Sequence, residues 1–363
     1  MKIQTAVATS KTKPLQIIEA NLDEPKTNEV LVKMVASGVC HTDAVGHDSG
    51  LTPYPVALGH EGSGIVEKVG AGVTTVQPGD HVVLSFSYCG HCQNCLSGHP
   101  GMCVKFNELN FGGANYDGSH RLHTLDGENL SVFFGQSSFS TYCVAHENNV
   151  VKVDPDVDLK MLGPLGCGIQ TGAGTVLNYI HPRLGDSIVV FGAGAVGLSA
   201  IMAAKIAGCE HIIALDIYDN RLELAKKLGA TETINSQGID PDYEIRKIIP
   251  EGVDYCLDTT GVSSVILSAL HSLHPGGECI LIGVGHELTL NVMDDLLVEA
   301  KKLSGVVEGD SVPQLFIPKL IEYYKKGMFP FDELIKYYDF DDINEAFADS
   351  KNGTILKPII TIN

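Results

Sequence analysis

The sequence predicts an α/β protein in two parts: a mostly antiparallel β domain, then a doubly wound domain around a parallel sheet. Three observations carry that prediction. Residues 1–150 hold short alternating apolar runs at 30–35, 64–69 and 81–84, punctuated by turn signals such as Val76-Gln77-Pro78-Gly79-Asp80. Beyond residue 187, apolar runs alternate with amphipathic stretches, the rhythm of a parallel sheet with crossover helices. At 363 residues, 44% of them hydrophobic, the chain can bury two separate cores.

Charge narrows the partners. With 25 Lys and Arg against 44 Asp and Glu, the net charge is -19. Affinity for nucleic acid or an anionic membrane comes from Lys and Arg, so both are disfavoured. No apolar run reaches the roughly 18 residues of a membrane span. The opening Met1-Lys2-Ile3-Gln4-Thr5-Ala6-Val7 reads as a strand, without the apolar core and cleavage site of a signal peptide. The expectation is a cytoplasmic protein.

In that compartment clustered cysteines point to metal rather than disulfides. Cys89-x2-Cys92-x2-Cys95-x7-Cys103 supplies four thiolates that can close around one zinc ion with no open position, a structural site that staples a loop. An iron–sulfur cluster is the competing reading. Its fourth spacing fits poorly, and no proline follows Cys103.

A second set is dispersed: Cys40, His60 and Cys167. Taken alone, Cys40 or His60 reads as a buried core residue. Together they supply three ligands and leave the fourth tetrahedral position for water or substrate, as a catalytic zinc requires. Gly59, Gly62, Ser63 and Gly64 surround His60-Glu61, so backbone can pass close to a site. Glu61 suits a role beside the metal, and Asp43 can orient His60 through its other ring nitrogen. The segment 40–43 follows a strand and opens a helix, with Thr42 or Asp43 as its cap. Aromatic residues concentrate between 104 and 147, among them Phe106, Phe111, Tyr116, Phe133, Phe134 and Phe139. They read equally as packing under a long loop or as the wall of an apolar pocket.

In the second part a strand at 187–191 runs into Gly192-x-Gly194-x-x-Gly197, and an Ala-rich helix continues to about Ala207. The next strand ends in Asp216. The glycines let backbone and a helix N-terminus approach a pyrophosphate, and Asp216 accepts from the adenosine ribose hydroxyls. Asp216 also repels a 2′-phosphate, so NAD is expected over NADP. Arg221 reads either as a second ribose contact or as a solvated helix face. Further strands are expected at 253–258, 279–285 and 303–309, with Val284 lining the nicotinamide pocket. A helix is expected at 314–326, and another near Phe340 with Asp341 or Asp342 as cap. A last strand at 353–360 returns to the first domain. Its Lys357 reads as a surface lysine or a phosphate ligand.

From end to end the chain resembles the zinc-dependent medium-chain alcohol dehydrogenases. The resemblance rests on Gly38-Val39-Cys40-His41-Thr42-Asp43, Gly59-His60-Glu61-Gly62-Ser63-Gly64, the four-cysteine lobe, Gly166-Cys167-Gly168 and the Gly192 to Gly197 fingerprint. Within the family it is most similar to the aryl (benzyl) alcohol dehydrogenases, on Asn110-Phe111-Gly112-Gly113, Asp117-Gly118-Ser119 and the runs 134–139 and 166–174. The resemblance implies a GroES-like catalytic domain, 1–168 and 314–363, and a Rossmann NAD-binding domain, 169–313. It implies catalytic zinc on Cys40, His60 and Cys167 with Glu61 close by, and structural zinc on Cys89, Cys92, Cys95 and Cys103. His41 and Lys357 would meet the cofactor pyrophosphate, and Thr42 would take the alcohol proton. The implied reaction is NAD-dependent oxidation of primary aromatic or allylic alcohols to aldehydes. The implied assembly is a homo-oligomer joined near Val306, a dimer or, favoured, a tetramer.

One departure stands out. Many relatives end the proton relay with a His five residues after the first zinc-ligand Cys. Here that residue is Val45, which leaves the last step to the nicotinamide ribose, water and His47. The rival readings are the same chemistry on aliphatic alcohols, polyols or a glutathione adduct, and a non-catalytic NAD-binding protein. The second is disfavoured because all seven zinc ligands are present.

Overall fold

The computed structural model describes residues 1–285 and 287–362. The chain divides into two compact units. One comprises Met1–Gly168, Ser311–Glu322 and Phe331–Asn363, the other Ile169–Asp310 and Tyr323–Pro330. The sequence kept 314–363 together, whereas 323–330 fall in the second unit; residue 363 lies outside the described residues.

The first unit is built around the strand Glu29–Gly38, which pairs antiparallel with Glu61–Val69, Tyr142–His146 and Lys357–Thr361. Alternation turns Val30, Val32 and Met34 into a core with Val66, Leu84, Phe133, Phe139 and Ile360. Register does the rest. Gly38 lies opposite both Glu61 and Ile359. One end of the sheet therefore gathers the exit of the first strand, the entry of the second and the entry of the C-terminal strand. That last strand begins at Lys357, later than the expected 353, and its parallel neighbour Ile335–Asp339 was not anticipated. A second sheet of five strands carries Lys2–Ala8.

The second unit holds a six-stranded parallel sheet. Its spatial order is Glu232–Asn235, His211–Asp216, Ser187–Phe191, Val253–Asp258, Leu273–Leu281, Lys302–Gly305. All of Ser187–Phe191 is buried, as expected for a central strand covered on both faces. Strand order reverses direction beside it, the place where such sheets bind ligands. The expected strands 279–285 and 303–309 stop early, at Leu281 and Gly305, because the chain leaves the sheet into Gly283-Val284-Gly285 and the turn Glu308–Asp310. The helix Ala195–Ala207 matches its expectation. Gly192 has φ +94, and a Cβ on Gly197 would lie 1.9 Å from the Gly192 carbonyl oxygen. Only glycine permits that turn and that helix-to-strand distance. The late helices Pro313–Lys325 and Ile343–Lys351 also form where expected. Among the described residues no helix is long and apolar enough to cross a membrane.

Candidate active site

At the sheet end described above, the ligand atoms of Cys40, His60, Glu61 and Cys167 all lie within 4.8 Å of one another. Cys40 caps the helix His41–Ser49, correcting the expected cap at Thr42 or Asp43. Asp43 serves this turn from inside: its Oδ2 accepts from the Cys40 backbone N–H at 3.0 Å. Its Oδ1 accepts from the Gly59 N–H at 3.1 Å and from His60 Nδ1–H at 2.8 Å. A carboxylate only accepts, so Nδ1 carries a proton and Nε2 is the nitrogen that can take a second proton or a cation. That Nε2 is buried and has no hydrogen-bond partner among the described residues.

Cys167 arrives on the turn Gly163–Gly166, held by the Ser85 hydroxyl donating to the Gly166 carbonyl at 2.6 Å. The Gly168 N–H donates to Glu61 Oε1 at 3.0 Å. A hydrogen bond from Cys167, then the nearby charge of Lys357 and His60, hold the Cys40 thiol well below its ordinary pKa despite burial. Burial disfavours a charged His60, but Asp43 and Cys40 outweigh it and the ring is held well above its usual value. A cation on Nε2 would take the place of that proton. Two sulfurs and an orphaned imidazole nitrogen are a donor set that fits zinc.

Lys357 is the residue whose place differs most from its expected reading. It is buried, and its Nζ donates to both oxygens of Glu61, at 2.9 Å each. Burial pushes the Glu61 carboxyl up to about 7 against the pull of Lys357. Sequence reasoning placed both residues near the cofactor or metal but missed their pairing. Gln136 was missed too: its amide donates to the carbonyls of His60 and Ser85, at 3.0 Å each, and pins the ligand backbone. It lies in the 134–139 run, whose only signal was its polar residues between phenylalanines.

Thr42 Oγ1 lies 3.8 Å from Cys40 Sγ, and His41 is exposed at the first helical position. His47 Nδ1 meets Asp48 Oδ1 and its Nε2 the Lys13 carbonyl, both at 2.7 Å, so both ring nitrogens already face protein acceptors. Of the aromatic concentration, Phe133, Phe134 and Phe139 are buried in the core, with Phe106 and Phe111 packed against it. Phe134 stacks on the His60 ring at 4.4 Å. These rings thus pack in or against the core, and Phe133 and Phe134 also meet the His60 ring.

The four-cysteine lobe is compact. The Sγ of Cys95 lies 3.9 Å from that of Cys89 and 3.5 Å from that of Cys92. Zinc–sulfur bonds of about 2.3 Å in a tetrahedron put sulfurs about 3.8 Å apart. Backbone N–H groups of Cys89 and Lys105 point at Cys103 Sγ, and that of Cys92 at Cys89 Sγ, as thiolates require. The spacing and donors fit a structural zinc.

In the second unit, Gly194 caps the helix Ala195–Ala207, leaving its first N–H groups at the end of the strand from Ser187. Asp216 is buried at the end of the neighbouring strand. Its Oδ2 accepts from the Ala193 N–H at 2.8 Å, and Arg221 Nη1 stands 3.5 Å from the same oxygen. The Arg221 guanidinium also covers the Tyr218 ring. Val284 is exposed in the turn after Leu281.

Comparison with known proteins agrees with this geometry. Residues 26–155 match the family described as alcohol dehydrogenase GroES-like domain, and 195–324 the zinc-binding dehydrogenase family. The chain is 43% identical to geraniol dehydrogenase of Castellaniella defragrans, over 98% of this chain and 97% of that protein. The chain belongs to the zinc-dependent medium-chain alcohol dehydrogenases. Among solved members of that family, the crystal structure of benzyl alcohol dehydrogenase from Acinetobacter calcoaceticus superimposes with a TM-score of 0.95 at 46% identity, covering 100% of both chains. An S-(hydroxymethyl)glutathione dehydrogenase of Saccharomyces cerevisiae is 37% identical over 99% of this chain and 96% of its own. The medium-chain dehydrogenase fold is thus a GroES-like domain with a dinucleotide-binding domain.

Proposed function

We propose that this protein oxidises primary alcohols whose hydroxymethyl carbon is attached to an aromatic ring or a double bond, giving the aldehyde, NADH and a proton. The observation that carries the reading is the cluster of half-buried Cys40 with buried His60 and Cys167, and its orphaned Nε2. Its substrate class draws on the likeness to geraniol and benzyl alcohol dehydrogenases. Both alcohols yield a conjugated aldehyde, which eases loss of hydride from the carbinol carbon.

When bound, zinc supplies a Lewis acid that lowers the pKa of the alcohol, and the nicotinamide accepts the hydride. Cys40, His60 and Cys167 would hold the ion with one position open. Asp43 fixes the tautomer of His60 and the start of the Cys40 helix together. Thr42 takes the alcohol proton and passes it toward solvent, with no titratable group at Val45. His41, Gly192, Gly194, Gly197, Asp216, Arg221 and Val284 make the cofactor set. Asp216 selects NAD by repelling a 2′-phosphate.

The protein is proposed to be a homo-oligomer, with a tetramer favoured. Lys302–Gly305 lies at the edge of its sheet, and Val292, Met293, Leu297 and Val298 before it are exposed. Val306 itself is buried in its own unit.

The test is a panel of initial rates with benzyl alcohol, cinnamyl alcohol, geraniol, ethanol, sorbitol and hydroxymethylglutathione, each with NAD and with NADP. Benzyl alcohol, cinnamyl alcohol and geraniol should be turned over well with NAD and the others poorly. Turnover confined to ethanol, sorbitol or the glutathione adduct would refute the substrate class. Asp216→Ala should weaken NAD more than NADP; an unchanged ratio of the two would rule out its selective role.

A further inference from the structure

The buried pair Glu61 and Lys357 has no part in proton transfer or hydride transfer as derived above, yet it sits against the metal ligands. A Glu61 oxygen belongs to the same 4.8 Å cluster as the Cys40, His60 and Cys167 donor atoms. Four protein donors are therefore within reach of one ion. A zinc ion with four protein ligands is closed, as in structural sites, and offers nothing to a substrate.

What restrains Glu61 is visible. Both its oxygens accept from Lys357 Nζ at 2.9 Å, and Oε1 also accepts from the Gly168 N–H at 3.0 Å. The third donor direction of Nζ faces the Val39 carbonyl at 3.4 Å. An ammonium has three protons, and this one directs them all at the wall of the site. The lysine is not a mobile arm. It is 3% exposed, and its strand is locked by the pairing of Ile359 with Gly38 and by the Val39 N–H donating to the Pro358 carbonyl at 2.9 Å. Without that ammonium, Glu61 would be a buried, uncompensated carboxylate beside a divalent cation.

We propose that Lys357 is a positioning residue for the metal centre: it holds Glu61 off the cation, so that the fourth ligand position stays open to the alcohol. The proposal rests on the reading of Cys40, His60 and Cys167 as zinc ligands. It differs from the role first expected for Lys357, contact with the cofactor phosphate.

The test uses the full-length protein with cobalt(II) in the Cys40, His60 and Cys167 site and zinc kept in the four-cysteine lobe. Imidazole, titrated by the cobalt absorption spectrum, reports whether an open position exists without cofactor or turnover. The parent should bind imidazole. Lys357→Met should bind it at least about tenfold more weakly, with an altered cobalt spectrum before any imidazole is added. The double variant Glu61→Gln, Lys357→Met has no carboxylate to close the site and should regain the parent affinity. If Lys357→Met does not fold, Lys357→Gln, which keeps one donor toward Glu61, should show the same direction of change. Parent-like imidazole binding in the single variant would overturn the proposal. So would a raised KM for NAD with an unchanged cobalt spectrum, the signature of a phosphate ligand. A parent that takes up no metal at Cys40, His60 and Cys167 would overturn the metal reading itself, and is distinguishable from every variant outcome.

Discussion

Each oxygen of Asp43 holds a different segment of the proposed zinc site: Oδ2 the Cys40 backbone, Oδ1 the His60 ring. Asp43→Asn keeps the shape but turns an amide NH2 toward at least one N–H, so one of these bonds must be lost. Mutation of such partners behind a metal ligand weakens metal binding about 10- to 100-fold. Competition with a chromogenic chelator should show that loss for the catalytic metal only, and an unchanged affinity would mean Asp43 does not orient the ligands. At this scale the sequence was legible wherever chemistry demands a residue type: the sulfur and imidazole donors, the fingerprint glycines, Asp43 behind His60. It was not legible for Lys357, whose partner Glu61 is 296 residues away. That contact is made by strand register, which no local pattern encodes.

Among the elements, the entries of three parallel strands are tied by one polar cluster. Asp254 Oδ2 accepts from the Ser187 N–H at 2.8 Å and from its hydroxyl at 2.6 Å, while Oδ1 meets His274 Nε2 at 3.0 Å. The other His274 nitrogen meets the Pro275 carbonyl at 2.6 Å. Burial disfavours the charged ring, but Asp254 outweighs it and raises the pKa of His274. Burial likewise works against the Asp254 carboxylate, and the bonds from Ser187 and His274 outweigh it and lower that pKa. The raised His274 gives stability that is full below its unfolded pKa, about 6.5, and is lost as pH climbs through the folded value. The lowered Asp254 gives stability present above about 3.9 and lost as pH falls through its folded value. His274→Gln should therefore cost stability at pH 5.5 and almost none well above the folded His274 pKa, at most about 1 kcal/mol for so exposed a pair. Urea midpoints of parent and variant at pH 5.5 and 8.5 read this directly; an equal difference at both would exclude the ion pair as its cause. Helices and central strands were legible because their apolar runs are long. Strand ends at Leu281 and Gly305 were not, because the sheet ends where pairing ends, and apolar residues continue beyond it.

Across the whole molecule, the two clusters that could hold a metal are proposed to do different work. The four-cysteine lobe has few buried apolar residues of its own, Cys89, Cys103 and Leu109 among them, so its order is expected to depend on the cation it would hold. Cys95→Ala should release one zinc per chain and lower the thermal midpoint by about 5 °C or more, whereas Cys167→Ala should release one zinc and abolish turnover with the midpoint less affected. Equal midpoints for the two variants would contradict the division of labour. The two-part architecture was legible from rhythm alone, but the assignment of 323–330 to the second unit was not, since a helix crossing from one unit to the other carries no mark of the crossing in its sequence.

The most direct measurement is the initial rate of NADH formation from benzyl alcohol, taken with a zinc count before chelation, after chelation, and after zinc is restored. Rapid oxidation is expected, disappearing with the zinc of the Cys40, His60 and Cys167 site and returning when it is replaced. Turnover that persists with that zinc removed, or a protein that holds zinc there and oxidises no alcohol, would contradict it.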